Sequence, residues 1–175
     1  SKCDSTIEGL PVYWIYDLGS MAASHTAVCA LSTTHRSRFV KQAATMGISF
    51  ATLIHPLARI SKNSTLGEGS IISAGAIVGT RTTIGRHVIV NRGALIGHHD
   101  SIGDYVSIMP GANIAGACSI GASTYIGMGA IVLDHIAIGS NSVIGAGAVV
   151  TRAIPDGVQA MGIPARIVAH DIDGK

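Results

Sequence analysis

The 175-residue sequence predicts an all-β fold, a left-handed parallel β-helix, with a partial α/β segment ahead of it. Three observations predict it: a strict six-residue period, a small residue at a fixed place in each period, and 47% apolar residues with only 4% aromatics. Steps of six from Ile54 land on Ile60, Leu66, Ile72, Val78, Ile84, Val90, Ile96, Ile102, Ile108, Ile114, Ile120, Ile126, Val132, Ile138, Ile144 and Val150. The next step reaches Asp156, where the pattern stops. Gly often follows the aliphatic residue, as at Gly67, Gly97 and Gly121, and four places after it the residue is mostly small, as at Ala58, Ser64, Thr82, Cys118 and Ala148. One large aliphatic and one small residue per six describe a short strand and a corner. Three such units close a triangular coil, with aliphatic side chains stacked inward and glycine relieving the turns. Seventeen units make between five and six coils, a prism roughly 25 Å tall at ~4.8 Å per strand spacing. An amphipathic helix is excluded, because its apolar positions recur at three and four residues.

Composition narrows the function. Charged residues are 13% and the net charge is +2, so there is no basic stripe of a nucleic-acid binder. Cys3, Cys29 and Cys118 are too few and too scattered for a disulfide framework or a zinc site, which fits a reducing, cytoplasmic setting. Glycine and polar residues interrupt every apolar stretch, so neither a signal peptide nor membrane insertion is expected.

Residues 1–53 lack the period. Gly9–Leu10–Pro11–Val12 reads as a turn entering a short segment. Ala27–Leu31 reads as a buried strand, Thr34–Met46 as a helix ended by Gly47, and Ile48–Leu53 as a second strand. Strand, helix, strand is half of a small parallel α/β unit. Residues 54–155 form the β-helix and 156–175 a tail. Outward stretches such as Ile108–Met109–Pro110 and Ile131–Val132–Leu133 are too apolar for solvent and point to self-association.

Of the eight histidines, His25 and His35 fall in the α/β segment, His55 at the junction and His170 in the tail. His87, His99 and His135 lie three places after an inward aliphatic and should point outward. The stretch Asn91–Asp104 stands apart. His98 and His99 are adjacent on one corner, and Asp100 takes the place of the small residue, facing partly inward. An unpaired carboxylate there is costly, so a nearby imidazole is its natural partner. A histidine oriented by a carboxylate is the ordinary design for a general base near neutral pH. Cys118 lies inside the coil in this register, which leaves it no part as a nucleophile.

The repeats together with the G-L-P-V stretch, the strand followed by Arg36, F-A-T-L-I-H-P at 50–56, and the exits G-A-V-V-T-R and G-I-P-A-R resemble a known group. It comprises the hexapeptide-repeat sialic acid O-acetyltransferases and the bacillosamine or perosamine N-acetyltransferases. The resemblance implies an enzyme that passes an acetyl group from acetyl-CoA directly to a sugar amine or hydroxyl, as a cytoplasmic homotrimer and without a metal. It implies that residues 1–53 are a partial Rossmann-like domain for a nucleotide-sugar, using Ser32, Thr34 and Arg36. That domain's glycine-rich turn has no match before residue 50, so either its N-terminal part is missing or the substrate is held differently. The tail is expected to cover the cofactor groove. By resemblance His98 is the catalytic base and Asn91 an active-site asparagine, while Gly116 turns its backbone N–H toward the acetyl carbonyl. Ser107, Met128 and Ala146 fall at acetyl-CoA contact positions, made through backbone groups, and Arg152 and Arg166 are candidate partners for the CoA phosphates. The residue after the base is usually acidic; here it is His99, which leaves either His99 or Asp100 to orient His98. Two readings from other classes compete: a γ-carbonic-anhydrase-like metalloenzyme, which requires histidines five residues apart that this chain lacks, and a β-helix scaffold without chemistry.

Overall fold

A two-residue strand every six residues is what the period dictates. The computed structural model, which describes residues 6–175, contains seventeen of them, from Leu53–Ile54 to Val149–Val150. Each strand up to Ile131–Val132 pairs in parallel with the strand eighteen residues on, as Ile84 with Ile102 and Ile96 with Ile114. Three sheets result: a first face starting at Leu53–Ile54, a second at Arg59–Ile60 and a third at Thr65–Leu66. The architecture is a parallel β-solenoid of about six turns, the arrangement a left-handed β-helix requires. The second residue of each strand faces inward, so Ile108, Ile114, Ile126, Val132 and Ile144 are fully buried in one continuous core. Each such side chain contributes about 1.5–3 kcal/mol. Ile108 and Val132 were expected on an outward apolar surface; only Ile131 and Leu133 of those stretches are exposed.

Glycine relieves turns at positive φ, as at Gly69, Gly93 and Gly129, but the glycine directly after the aliphatic residue serves a different end. A Cβ at Gly97 would lie 2.7 Å from the Ala115 carbonyl carbon, so glycine here admits the backbone of the next coil. The left-handed backbone sits two places later, at His99 (φ 60°) and Gly111 (φ 68°). The solenoid also outlasts the hexad register. Ile154 bridges to Ile138 and Gln159 pairs with Val143, partners sixteen rather than eighteen residues apart, so the last turn is two residues shorter.

The N-terminal segment is slighter than expected. Strands Thr26–Ala27 and Ser49–Phe50 pair in parallel around a 3-10 turn, Thr34–Arg36, and an α-helix, Ser37–Thr45, which Gly47 follows at φ 84°. The expected Ala27–Leu31 strand is short and not buried, and Leu31 is exposed; two paired strands without further neighbours have no second face to bury it. The expected turn at Gly9 lies in a hairpin joining Thr6–Ile7 to Leu10–Pro11, and a 3-10 helix, Ile15–Met21, follows. Cys3 lies outside the described residues; Cys29 and Cys118 are free thiols. After the antiparallel strand Arg166–Ala169, the tail returns to the N-terminal segment, where the Lys175 carbonyl accepts from the backbone N–H of Thr34 at 2.5 Å. No helix among the described residues is long and apolar enough to cross a membrane.

Candidate active site

The corner between the second and third faces carries a vertical file of residues eighteen apart. Its two outward positions are Thr80 and Arg81, then His98 and His99, Gly116 and Ala117, Asp134 and His135, Arg152 and Ala153. The small pair above the two histidines leaves a step. The imidazole of His98 lies across it: a Cβ built on Gly116 would fall 2.6 Å from its Cε1 and 2.7 Å from its Nε2. Only glycine fits beneath that ring, and the backbone N–H of Gly116 has no acceptor among the described residues. His98 Nδ1 is 2.9 Å from His99 Nδ1 with the rings nearly perpendicular, and both side chains are exposed. The left-handed backbone at His99 turns its ring back toward His98.

Asp100 does not partner an imidazole, contrary to expectation. It is buried, Oδ1 accepts from the Cys118 backbone N–H at 2.7 Å, and Oδ2 has no partner. Burial pushes its carboxyl up to about 6, against the opposing pull of the Cys118 N–H and His98. Burial likewise raises the Cys118 thiol, which leaves a poor nucleophile inside the coil.

The remaining expected residues divide between two places. Asn91, Met128 and Ala146 line the other edge of the second face, at the corner from the first face, and the Asn91 side chain caps the Arg92 backbone N–H at 2.9 Å. They do not meet His98 within one chain. Between these two edges the second face exposes Ile77, Leu95 and Ile131. Arg152 and Arg166 come together at the top of the prism, lining one recess with Ala153 and Ala165. Arg152 lies three coils above His98, about 14 Å at ~4.8 Å per coil.

The side chains of Ser107 and Arg36 meet each other. Arg36 is fully buried and donates to the carbonyls of His87 at 2.6 Å, Val106 at 2.9 Å and Thr33 at 2.7 Å and to Ser107 Oγ at 2.8 Å. Ser107 in turn donates to the Ser32 carbonyl at 2.9 Å. Burial lowers the Arg36 guanidinium to about 10, so it stays charged at neutral pH. The Arg36 guanidinium and the Ser107 hydroxyl are thus engaged in an anchor that pins the N-terminal segment to the first face. Thr34 is buried beneath Lys175, and Ser32 alone of the three expected substrate residues is exposed.

Two further residues were not foreseen. Arg81 reaches His99 Nε2 at 3.4 Å; stepping back eighteen residues from His99 would have found it. His87, expected to point outward, does leave the coil but is covered, stacked on Tyr105 and met edge-on by Phe50, with its Nδ1 unpaired and its imidazole pushed down by burial. No group of three or more His, Cys, Asp or Glu side chains that could hold a metal occurs among the described residues.

The family model for bacterial transferase hexapeptide repeats, six repeats long, matches residues 117–152. No curated protein matches the chain. Several solved structures do, over nearly its whole length. A histidine-to-asparagine variant of perosamine N-acetyltransferase from Caulobacter crescentus, in complex with CoA and GDP-perosamine, is 31% identical, with 94% of this chain and 80% of that one covered and a TM-score of 0.90. The acetyltransferase domain of PglB from Neisseria gonorrhoeae, in complex with acetyl coenzyme A, is 31% identical, with 96% and 83% covered and a TM-score of 0.89. WeeI from Acinetobacter baumannii is 30% identical, with 94% and 81% covered and a TM-score of 0.89.

Proposed function

The chain belongs to the hexapeptide-repeat acyltransferases, in the group acting on sugar amines and hydroxyls, and we propose that it moves the acetyl group of acetyl-CoA onto the amine of a nucleotide-activated amino sugar. One observation carries the proposal: the His98 ring lying across the Gly116 backbone on an exposed corner, with Nδ1 bonded to His99. The perosamine enzyme's complex with GDP-perosamine favours an amine acceptor.

In this reading the amine lone pair attacks the thioester carbonyl while His98 Nε2 takes the amine proton. The Gly116 N–H stabilises the developing oxyanion. The carbon–sulfur bond then breaks, and the imidazolium returns its proton to the departing CoA thiolate. For Nε2 to be free, His98 must carry its hydrogen on Nδ1 and donate it to Nδ1 of His99. Arg81 lies beyond His99, with its guanidinium 3.4 Å from His99 Nε2. Transfer is direct, because Cys118 is enclosed and protonated.

The same reading includes a homotrimer: second faces packed around a shared axis would bring Asn91, Met128 and Ala146 toward a neighbour's His98 and Gly116 and would cover the exposed Ile77, Leu95 and Ile131. Acetyl-CoA then runs up the groove between two prisms toward Arg152 and Arg166. Residues 1–53, read as a partial Rossmann-like domain, hold the nucleotide-sugar beside Ser32.

The test is acetyl-CoA turnover against a panel of nucleotide-linked amino sugars and sialic acid. N-acetylated product is expected, with kcat lowered roughly 10²–10⁴-fold in His98→Ala while the assembly stays folded. O-acetylated sialic acid alone would replace the amine reading, and undiminished turnover in His98→Ala would remove the base.

A further inference from the structure

Behind the His98 corner runs a column of inward polar side chains, eighteen residues apart: Ser64, Thr82, Asp100 and Cys118. Each does two jobs. It accepts the backbone N–H of the residue above, as Ser64 Oγ does from Thr82 at 3.1 Å, Thr82 Oγ1 from Asp100 at 3.2 Å and Asp100 Oδ1 from Cys118 at 2.7 Å. It also donates to a carbonyl fifteen residues ahead: Ser64 to Gly79, Thr82 to Gly97 at 2.9 Å and Cys118 to Leu133 at 3.1 Å. The neighbouring corner repeats the pattern with Ser70 to Gly85 and Thr124 to Gly139. At Asp100 the accepting bond is present and the donating one is absent, because Oδ2 is buried without a partner. The carbonyl that the register assigns to it is Ala115, fifteen residues ahead. Ala115 C=O and Gly116 N–H belong to one peptide group.

We propose that Asp100 is kept as a neutral carboxylic acid whose Oδ2–H donates to the Ala115 carbonyl, completing the column and positioning the Ala115–Gly116 peptide for the acetyl carbonyl. The role rests on the reading of Gly116 given above; the protonation does not. An ionised Oδ2 would set a charge against a carbonyl oxygen in a dry corner, whereas the acid does what serine, threonine and cysteine do in the other coils. Burial raises the carboxyl's pKa, and a hydrogen bond given by the protonated form raises it further. The groups around it are the His98 imidazole on its own corner with His99 and Arg81 outside it, the Thr82 hydroxyl below, the Cys118 thiol above and Asp134 beyond that thiol. The Cys118 backbone N–H, then His98, then the Gly97 backbone favour the anion, but burial outweighs them, and His98 faces solvent. A bond to Ala115 O fixes the peptide plane and polarises its N–H, so Asp100 is a positioning residue rather than a catalytic carboxylate.

The experiment uses the full chain and three variants. Asp100→Ala removes both bonds and is expected to lower kcat roughly 10–100-fold with little change in the KM for acetyl-CoA. Asp100→Asn and Asp100→Ser each offer an acceptor and a donor, and are expected to restore most of that loss. Urea unfolding across pH 4–8 provides a readout independent of activity. An acid whose folded pKa is raised stabilises fully below its unfolded value and loses that contribution as pH rises through the folded one. The wild type should therefore lose stability from about pH 4 upward, and the loss should end only above the value of about 6 that burial gives, because the Ala115 bond adds to it; Asp100→Asn should lack this loss. Asp100→Asn as inactive as Asp100→Ala would make the negative charge the working feature and overturn the proposal, as would a wild type without the pH-dependent loss. Absence of any acetyl transfer by the wild type would sink the functional reading alone, since the unfolding profiles still decide the state of Asp100.

Discussion

Ile108 and Arg36 are both fully buried, and they hold their regions together in opposite ways. Ile108 is one of a column of interchangeable aliphatic side chains, each supported by the coils below and above it. Arg36 has no equivalent. It joins the N-terminal segment to the first face through bonds to Thr33, His87, Val106 and Ser107, and those carbonyls have geometry but no repeat. Burial by repetition spreads stability over many small contributions; burial by a single charged anchor concentrates it. The β-helix should therefore tolerate loss of any one side chain and be intolerant of lost register, while the segment should show the reverse.

Register gives the largest effect. Deleting Gly111 turns every later inward aliphatic, beginning with Ile114, toward a wrong direction, and the coils beyond it should fail to form, seen as lost strand signal in circular dichroism. A glycine inserted after exposed Ser24 should cost less than about 1 kcal/mol, because it lengthens a surface connection only slightly. Equal damage from the two changes would erase the distinction.

The anchor comes next. Arg36→Met leaves three carbonyls and one hydroxyl without their buried donor and should cost about 3–5 kcal/mol in docking of the segment. Limited proteolysis is expected to cut within residues 6–50 while the β-helix resists. Ile108→Val, an equally buried site, should cost only about 0.5–1.5 kcal/mol with no new cleavage.

The same difference decides what could be read from the sequence. The seventeen strands, the sheet partners and the placement of Cys118 inside the coil follow from counting by six and eighteen. So does the meeting of His98 with Gly116, one coil apart on one corner. Counting says nothing of what covers an outward residue. His87 occupies an exposed register position and is buried because Phe50, from a region without period, folds over it. The bond between Arg36 and Ser107 is hidden from the sequence for the same reason: a polar residue reveals its partner only when the other region is in place. The shortened last turn escaped the count too, since Ile154 and Val158 keep the core filled after the hexad has ended.

The smallest expected effect separates two carboxylates within one turn of the solenoid. Asp104 is partly exposed; its Oδ1 accepts from the Arg86 backbone N–H at 2.7 Å and its Oδ2 from the Arg86 guanidinium at 2.7 Å. Burial pulls its carboxyl upward, but the Arg86 N–H and guanidinium outweigh this and hold it below the usual carboxylate range. Its contribution is thus present above the unfolded pKa and lost as pH falls through the folded one, opposite in sign to Asp100. Asp104→Asn keeps an oxygen for the backbone N–H and gives up only an exposed ion pair, so at neutral pH its unfolding midpoint should scarcely move. Below about pH 4 the variant should hold its stability better than the wild type, whereas Asp100→Asn should do so only on the neutral side of pH 6. Unfolding curves of the two variants measured at pH 3.5 and pH 7.5 decide it, and a shared direction of change would mean that burial and ion pairing do not divide the two sites as their geometry requires.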